Sequence, residues 1–140
     1  MTALDRQVSG AHYKDLAVQP VVFIMANQMS FCEGNAVKYV TMWRDKGGMA
    51  DLQKAKHYIE IVMEAPLYCR VLYRIRAVFS FRAWWCHEMH VDHYIERNCI
   101  KNPEAGVIRH VAWWNHSGRI SDLTGAMKWL DELIAQESVL

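Results

Sequence analysis

The feature that most limits what this chain of 140 residues can fold into is a repeat of itself. Shifted by 71 positions, Phe23 to Met63 lies over Tyr94 to Ile134 without a gap, with about nine identities in some forty pairs. Asn27 meets Asn98, Glu33 meets Glu104, Val40 meets Val111 and Trp43 meets Trp114. Gly47 meets Gly118, Asp51-Leu52 meets Asp122-Leu123, and Ala55 meets Ala126. Other pairs are conservative: Lys38 with Arg109, Met49 with Ile120, Tyr58 with Trp129, Glu60 with Asp131. Each unit is too small to bury an apolar face alone, so the two are expected to pack together as one domain. Polar details are not repeated. Gly34-Asn35 is matched by Ala105-Gly106, Lys54 by Gly125, and His12-Tyr13 by Ala83-Trp84. One unit reads as chemical and the other as structural.

The first unit centres on Ser30 to Glu64, which reads as two helices joined by a glycine turn. Ser30 and Glu33 have the S-x-x-E spacing of a capping box and predict a helix start just before Phe31. Gly34-Asn35 and Lys38-Tyr39 lie one turn apart and share a face. Gly47-Gly48 gives the backbone freedom to reverse after Lys46. Asp51 then falls in the first turn of the next helix, where a carboxylate offsets unpaired N–H groups. Leu52, Ala55, Ile59 and Val62 form its buried stripe.

Before the hairpin, Met1 to Asp15 reads as extended or loop-like, and Gln19-Pro20 opens a short helix with Val21 to Met29 as its body. After it, Leu67 to Phe81 carries two patterns. Apolar residues at every second position from Val71 to Phe81 make a short strand, whereas Val71, Leu72, Ile75, Val78 and Phe79 make a helical stripe. With no partner strand elsewhere, helix is favoured. The expected architecture is therefore all-α: a unit over 1–66, then a connector and degenerate second copy over 67–140.

Length and charge narrow the function classes. One core fits in such a chain, and a formal net charge of +1 argues against a general nucleic-acid binder. Cys32, Cys69, Cys86 and Cys99 have no C-x-x-C spacing, the N-terminus lacks a signal-peptide core, and no apolar run is long enough to span a membrane. Reduced thiols in a cytoplasm are the expectation. No P-loop, Rossmann fingerprint, H-E-x-x-H or G-x-S-x-G motif is present, and Glu60 and Glu64 find no partners for a four-carboxylate pyrophosphatase pattern.

In the hairpin, Lys38, Lys46 and Lys54 suit phosphate oxygens, Asn35 and Tyr39 suit a base or sugar, and Asp51 suits Mg²⁺. Phosphoryl transfer depends mostly on positioning and cations, so no named nucleophile is required. The plainer alternative makes Asp51 a helix cap, Gly34 a close-packing residue and the lysines solvated. His12, in a loop, suits acid, base or phosphate-donor chemistry.

Gly10, His12-Tyr13-Lys14, Gln19-Pro20, Phe23-Ile24 and Asn27 form one series in a fixed order. It continues with Phe31, Glu33-Gly34-Asn35, Lys38-Tyr39-Val40, Lys46, Gly48, Asp51-Leu52 and Lys54-Ala55. Over Asp5 to about Glu64 this series resembles a family of small phage proteins, the SaV-like domain of unknown function, which includes a podovirus nucleotide kinase without a Walker loop. The family carries an arginine where this chain has Met42. The resemblance implies a phage protein in a bacterial cytoplasm that binds a nucleotide, with Lys38, Asp51 and His12 as catalytic candidates. Tyr13, Lys14, Gly34, Asn35, Tyr39, Lys46 and Lys54 are then the ligand-binding candidates. The implied activity is a nucleoside monophosphate kinase using Mg²⁺ and ATP. The alternatives are a non-catalytic protein that sequesters a nucleotide signal or inhibits a host protein, and a structural accessory domain. A homo-oligomer is expected, without membrane or nucleic-acid partners.

Two further clusters compete. Cys86, His90 and His93 in the run CHEMHVDH would share a helix face with zinc-ligand spacing, but a fourth ligand is missing and no structural metal is expected. Arg70, Arg74, Arg76 and Arg82, with Trp84-Trp85 beside them, could stack on nucleic acid, although four cations without overall basicity argue little. Trp113-Trp114 and Trp129 suit a core or interface.

Overall fold

The computed structural model describes residues 4, 6, 12–79 and 90–139, with the side chains of 73, 74 and 76–79 excepted. Phe81, Arg82, Trp84-Trp85 and Cys86, singled out above, lie outside these residues, as does Gly10. The described chain is all-α and forms one domain, with no strand among the described residues. Its helices are α1 (Pro20–Ala26), α2 (Phe31–Met42), α3 (Met49–Glu64), α4 (Leu67–Phe79), α5 (Val91–Arg97), α6 (Glu104–Ser117) and α7 (Ile120–Ser138).

Local chemistry sets the boundaries. Pro20 occupies the first position of α1 behind the N-cap Gln19, as its fixed φ favours. The helix stops at Ala26 instead of running to Met29. Gln28 takes a left-handed φ of 52°, and the amides of Gln28 and Met29 bond the carbonyls of Met25 and Ile24, closing a Schellman turn. Helix α2 starts at Phe31 with Ser30 as N-cap, as expected, but Ser30 makes no side-chain cap bond. The Ser30 half of the capping box is therefore not made, and Glu33 turns into the core, where it accepts Trp114 Nε1–H at 3.2 Å. A 3₁₀ turn over Trp43–Asp45 follows, and Gly48, with φ 55° and ψ −138°, starts α3.

The stripe Leu52, Ala55, Ile59 and Val62 is fully buried. Each of its larger side chains contributes about 1.5–3 kcal/mol by leaving water. The hairpin α2–α3 packs on the hairpin α6–α7, α2 against α6 and α3 against α7, while α1 and α5 lie on α2 and α6. Between the hairpins, Trp43 Nε1 donates to Glu104 at 3.1 Å and Trp114 Nε1 donates to Glu33. Phe23 and Tyr94 stack with ring centroids 4.3 Å apart.

Residues 67–79 are helical, so the strand alternative is not adopted there. Helix α4 packs on α6 and turns Leu67, Tyr68, Val71, Leu72 and Ile75 to solvent. The zinc-spacing argument loses its premise at His90. That residue is the N-cap of α5, with extended φ and ψ, and accepts from the Asp92 amide through Nδ1, so the helix joining residue 90 to His93 begins only after it. Among the described residues, no group of three His, Cys, Asp or Glu is placed to hold a metal ion.

Candidate functional site

A cavity of about 450 Å³ opens between the segment before α1, α1 itself and the first half of α2. That volume lies in the range of small-molecule sites. Pro20, Val21, Ile24, Met29 and Phe31 supply an apolar floor and walls; Tyr13, Gln19, Ser30, Asn35 and Lys38 supply the polar groups. Gly34 completes the lining, and a Cβ there would stand 2.9 Å from Ile24 Cγ2, so glycine permits α1 to lie close on α2. The one-turn spacing of Gly34, Asn35 and Lys38 places all three on this face.

Lys38 is half-buried, and no described carboxylate lies within ion-pair distance of it. Its ammonium stands 5.3 Å from the Tyr39 ring centroid, a cation–π contact that leaves its N–H donors for another partner. Asn35 Nδ2 donates to the Phe31 carbonyl at 2.8 Å, which fixes the amide along the helix and leaves Oδ1 as an acceptor. Lys46 lies 5.9 Å from the Tyr13 ring centroid and so ties the hairpin turn to the cavity wall.

Of the ten residues expected to form a site, Tyr13, Gly34, Asn35 and Lys38 share this lining. The others lie elsewhere. His12 and Lys14 are exposed in the turn over residues 12–15. Tyr39 faces α3, stacked near Tyr58 with centroids 6.0 Å apart. Asp51 is buried beneath the glycine turn, where a Cβ on Gly47 would stand 2.3 Å from its Cγ. Its Oδ1 takes Lys54 Nζ at 2.8 Å, and this hydrogen bond raises the lysine above its ordinary pKa. Asp51 and Lys54 are thus paired with each other at the hairpin turn, outside the cavity lining. Met42, where the resembling family has arginine, is a core residue at 1 % exposure.

The apolar wall was missed at the sequence level. Val21 and Phe31 are 44 % and 73 % exposed, and that exposure is what makes them wall and not core. The i, i+3 pair Val21 and Ile24 just before the Gly34 face carried the signal.

No curated protein and no solved structure matches the chain. One family model does, and it matches residues 8–60, a stretch that holds every residue of the cavity lining; that part of the chain is similar to a family described only as a protein of unknown function, DUF3310.

Proposed function

We propose that the protein binds a small ligand with a flat apolar body and an anionic group, a nucleotide in the reading we favour, in the cavity between α1 and α2. The observation that carries this is Lys38: a half-buried ammonium with no described carboxylate partner, lining an otherwise mostly apolar cavity beside Asn35 and Tyr13. Such a cation is best satisfied by a ligand's phosphate or carboxylate, while Val21, Ile24 and Phe31 suit a ring face. The choice of a nucleotide over other anions rests on the resemblance of the first unit to the phage family.

Binding is favoured over phosphoryl transfer. A nucleoside monophosphate kinase must gather two sets of phosphates and their Mg²⁺. Asp51 and Lys54, expected to serve there, are engaged with each other outside the lining. Sequestration of a nucleotide therefore stands ahead of its phosphorylation. Phage origin, a bacterial cytoplasm, a homo-oligomer and a host protein partner are proposals of the same kind, resting on the resemblance and on composition.

A thermal-shift panel of nucleoside mono-, di- and triphosphates tests the reading. A ligand at about a hundred times its dissociation constant adds about 2.7 kcal/mol to stability. Lys38→Ala should lose the shift while keeping the fold. A panel in which no nucleotide raises the melting temperature removes the nucleotide reading.

We also infer that the two halves are copies of one ancestral unit. Helices α1 and α3 begin at Pro20 and Met49, and α5 and α7 begin 71 residues later at Val91 and Ile120. The left-handed residues Gln28 and Cys99 have the same offset. The Trp43–Glu104 and Trp114–Glu33 bonds exchange under it, and Phe23 stacks on its own counterpart Tyr94. An experimental structure in which residues 20–63 fail to superpose on 91–134 by a near two-fold rotation would reject common descent.

A further inference from the structure

The seam between α5 and α6 holds residues that correspond, 71 positions on, to several that line the cavity between α1 and α2. Lys38 becomes Arg109, Gly34 becomes Ala105, Asn35 becomes Gly106, and Val21 becomes Asp92. The consequence is electrostatic. Arg109 Nε donates to Asp92 Oδ1 at 2.6 Å, so a carboxylate from the short helix satisfies the cation from the long one. The short, charge-assisted bond spans the seam from α5 to α6. In the first half residue 21 is a valine, and Lys38 has no carboxylate partner among the described residues.

From this pair, and resting on the nucleotide-type reading of the cavity, we propose that the second half carries an internal stand-in for the ligand. The ligand's anionic group sits against Lys38 on the Val21 side of the cavity, in the place that the Asp92 carboxylate takes against Arg109. Residue 21 (or 92) decides whether a seam accepts an outside anion or satisfies itself. This accounts for a ligand cavity in one half and an ion pair at the corresponding place in the other, and it orients the ligand. Its anion lies toward Val21 and Lys38, and its flat body lies toward Ile24, Met29 and Phe31.

The test installs the second half's solution in the first. Val21→Asp supplies Lys38 with a carboxylate, and Val21→Asn supplies the same shape without the charge. The probes are inorganic pyrophosphate and dGMP, followed through the backbone amides of Gly34 to Lys38 and the Asn35 side-chain amide by NMR. Both probes should shift these resonances in the natural protein. Affinity should fall about tenfold or more in Val21→Asp, since the new carboxylate competes for Lys38 and repels the anion, and should change little in Val21→Asn. Equal binding by Val21→Asp and the natural protein overturns the inference while leaving a nucleotide site intact. Equal loss in both variants also overturns it, because shape and not charge would then decide. Pyrophosphate shifts at Lys38 without any response to dGMP would keep the inference and remove the nucleoside. Silence of these amides to both probes overturns the two together.

Discussion

The glycine turn between α2 and α3 offers a clean test of how this hairpin is built. Gly48 holds φ 55° and ψ −138°, a region closed to residues with a Cβ. The turn depends on this conformation: the Gly48 amide donates to the Trp43 carbonyl at 2.7 Å, and the Gly48 carbonyl accepts from Asp51 N at 3.0 Å. A Cβ at this position meets no atom within 4 Å, so Gly48→Ala neither clashes nor fills space, and its effect is backbone strain alone. Such strain costs about 1–3 kcal/mol. For a domain of this size, that lowers Tm by about 3–10 °C. Urea unfolding should show a lower midpoint with an unchanged slope. Gly47→Ala separates the mechanisms. Its Cβ would stand 2.3 Å from Asp51 Cγ, so its cost is a collision with the carboxylate. Adding Asp51→Ala should relieve Gly47→Ala and leave the cost of Gly48→Ala as it was, a coupling that a double-mutant cycle reads directly. A Gly48→Ala protein within about 0.5 kcal/mol of the natural one, or one rescued by Asp51→Ala, would refute the assignment of strain to the Gly48 backbone.

Other expectations follow from the core and from titration. Gly106→Ala puts a methyl 2.4 Å from the Trp129 ring and should cost about 1–3 kcal/mol, with a shift in tryptophan emission as the indole is displaced. Leu52→Ala, at a fully buried site, should cost about 2–5 kcal/mol in the same urea assay, and a smaller loss would mean that the hairpins close on the cavity. Burial holds His110 below its ordinary pKa of 6.5, with Asp122 partly opposing, so the folded state binds that proton less readily than the unfolded chain. Stability should therefore fall as pH drops through 6.5 and recover above it. His110→Gln should flatten that part of the profile, and an unchanged slope would assign it to other groups.

How far the sequence could be read depended on whether a residue's role is local or set by the other half of the chain. Pro20, Gly48 and the stripe from Leu52 to Val62 act within a turn or two of themselves, and their roles were legible. Glu33 was not. Its spacing from Ser30 announces a cap, yet the Trp114 donor that claims it comes from 81 residues away. Asp51 and Lys54 are polar residues on a polar turn, and their i, i+3 spacing lets Lys54 Nζ bond Asp51 Oδ1, a contact that residue type alone does not announce. The cavity wall failed for the opposite reason. Val21 and Phe31 look like ordinary core residues, and only the packing of α1 across Gly34 leaves them exposed as a wall. Lys38 stands between these cases. Its type and face were evident, but what distinguishes it from Arg109 is the residue across the seam, valine in one half and aspartate in the other. A cation is a candidate site only when the fold withholds its counter-ion, and that is a property of two helices, not of one residue.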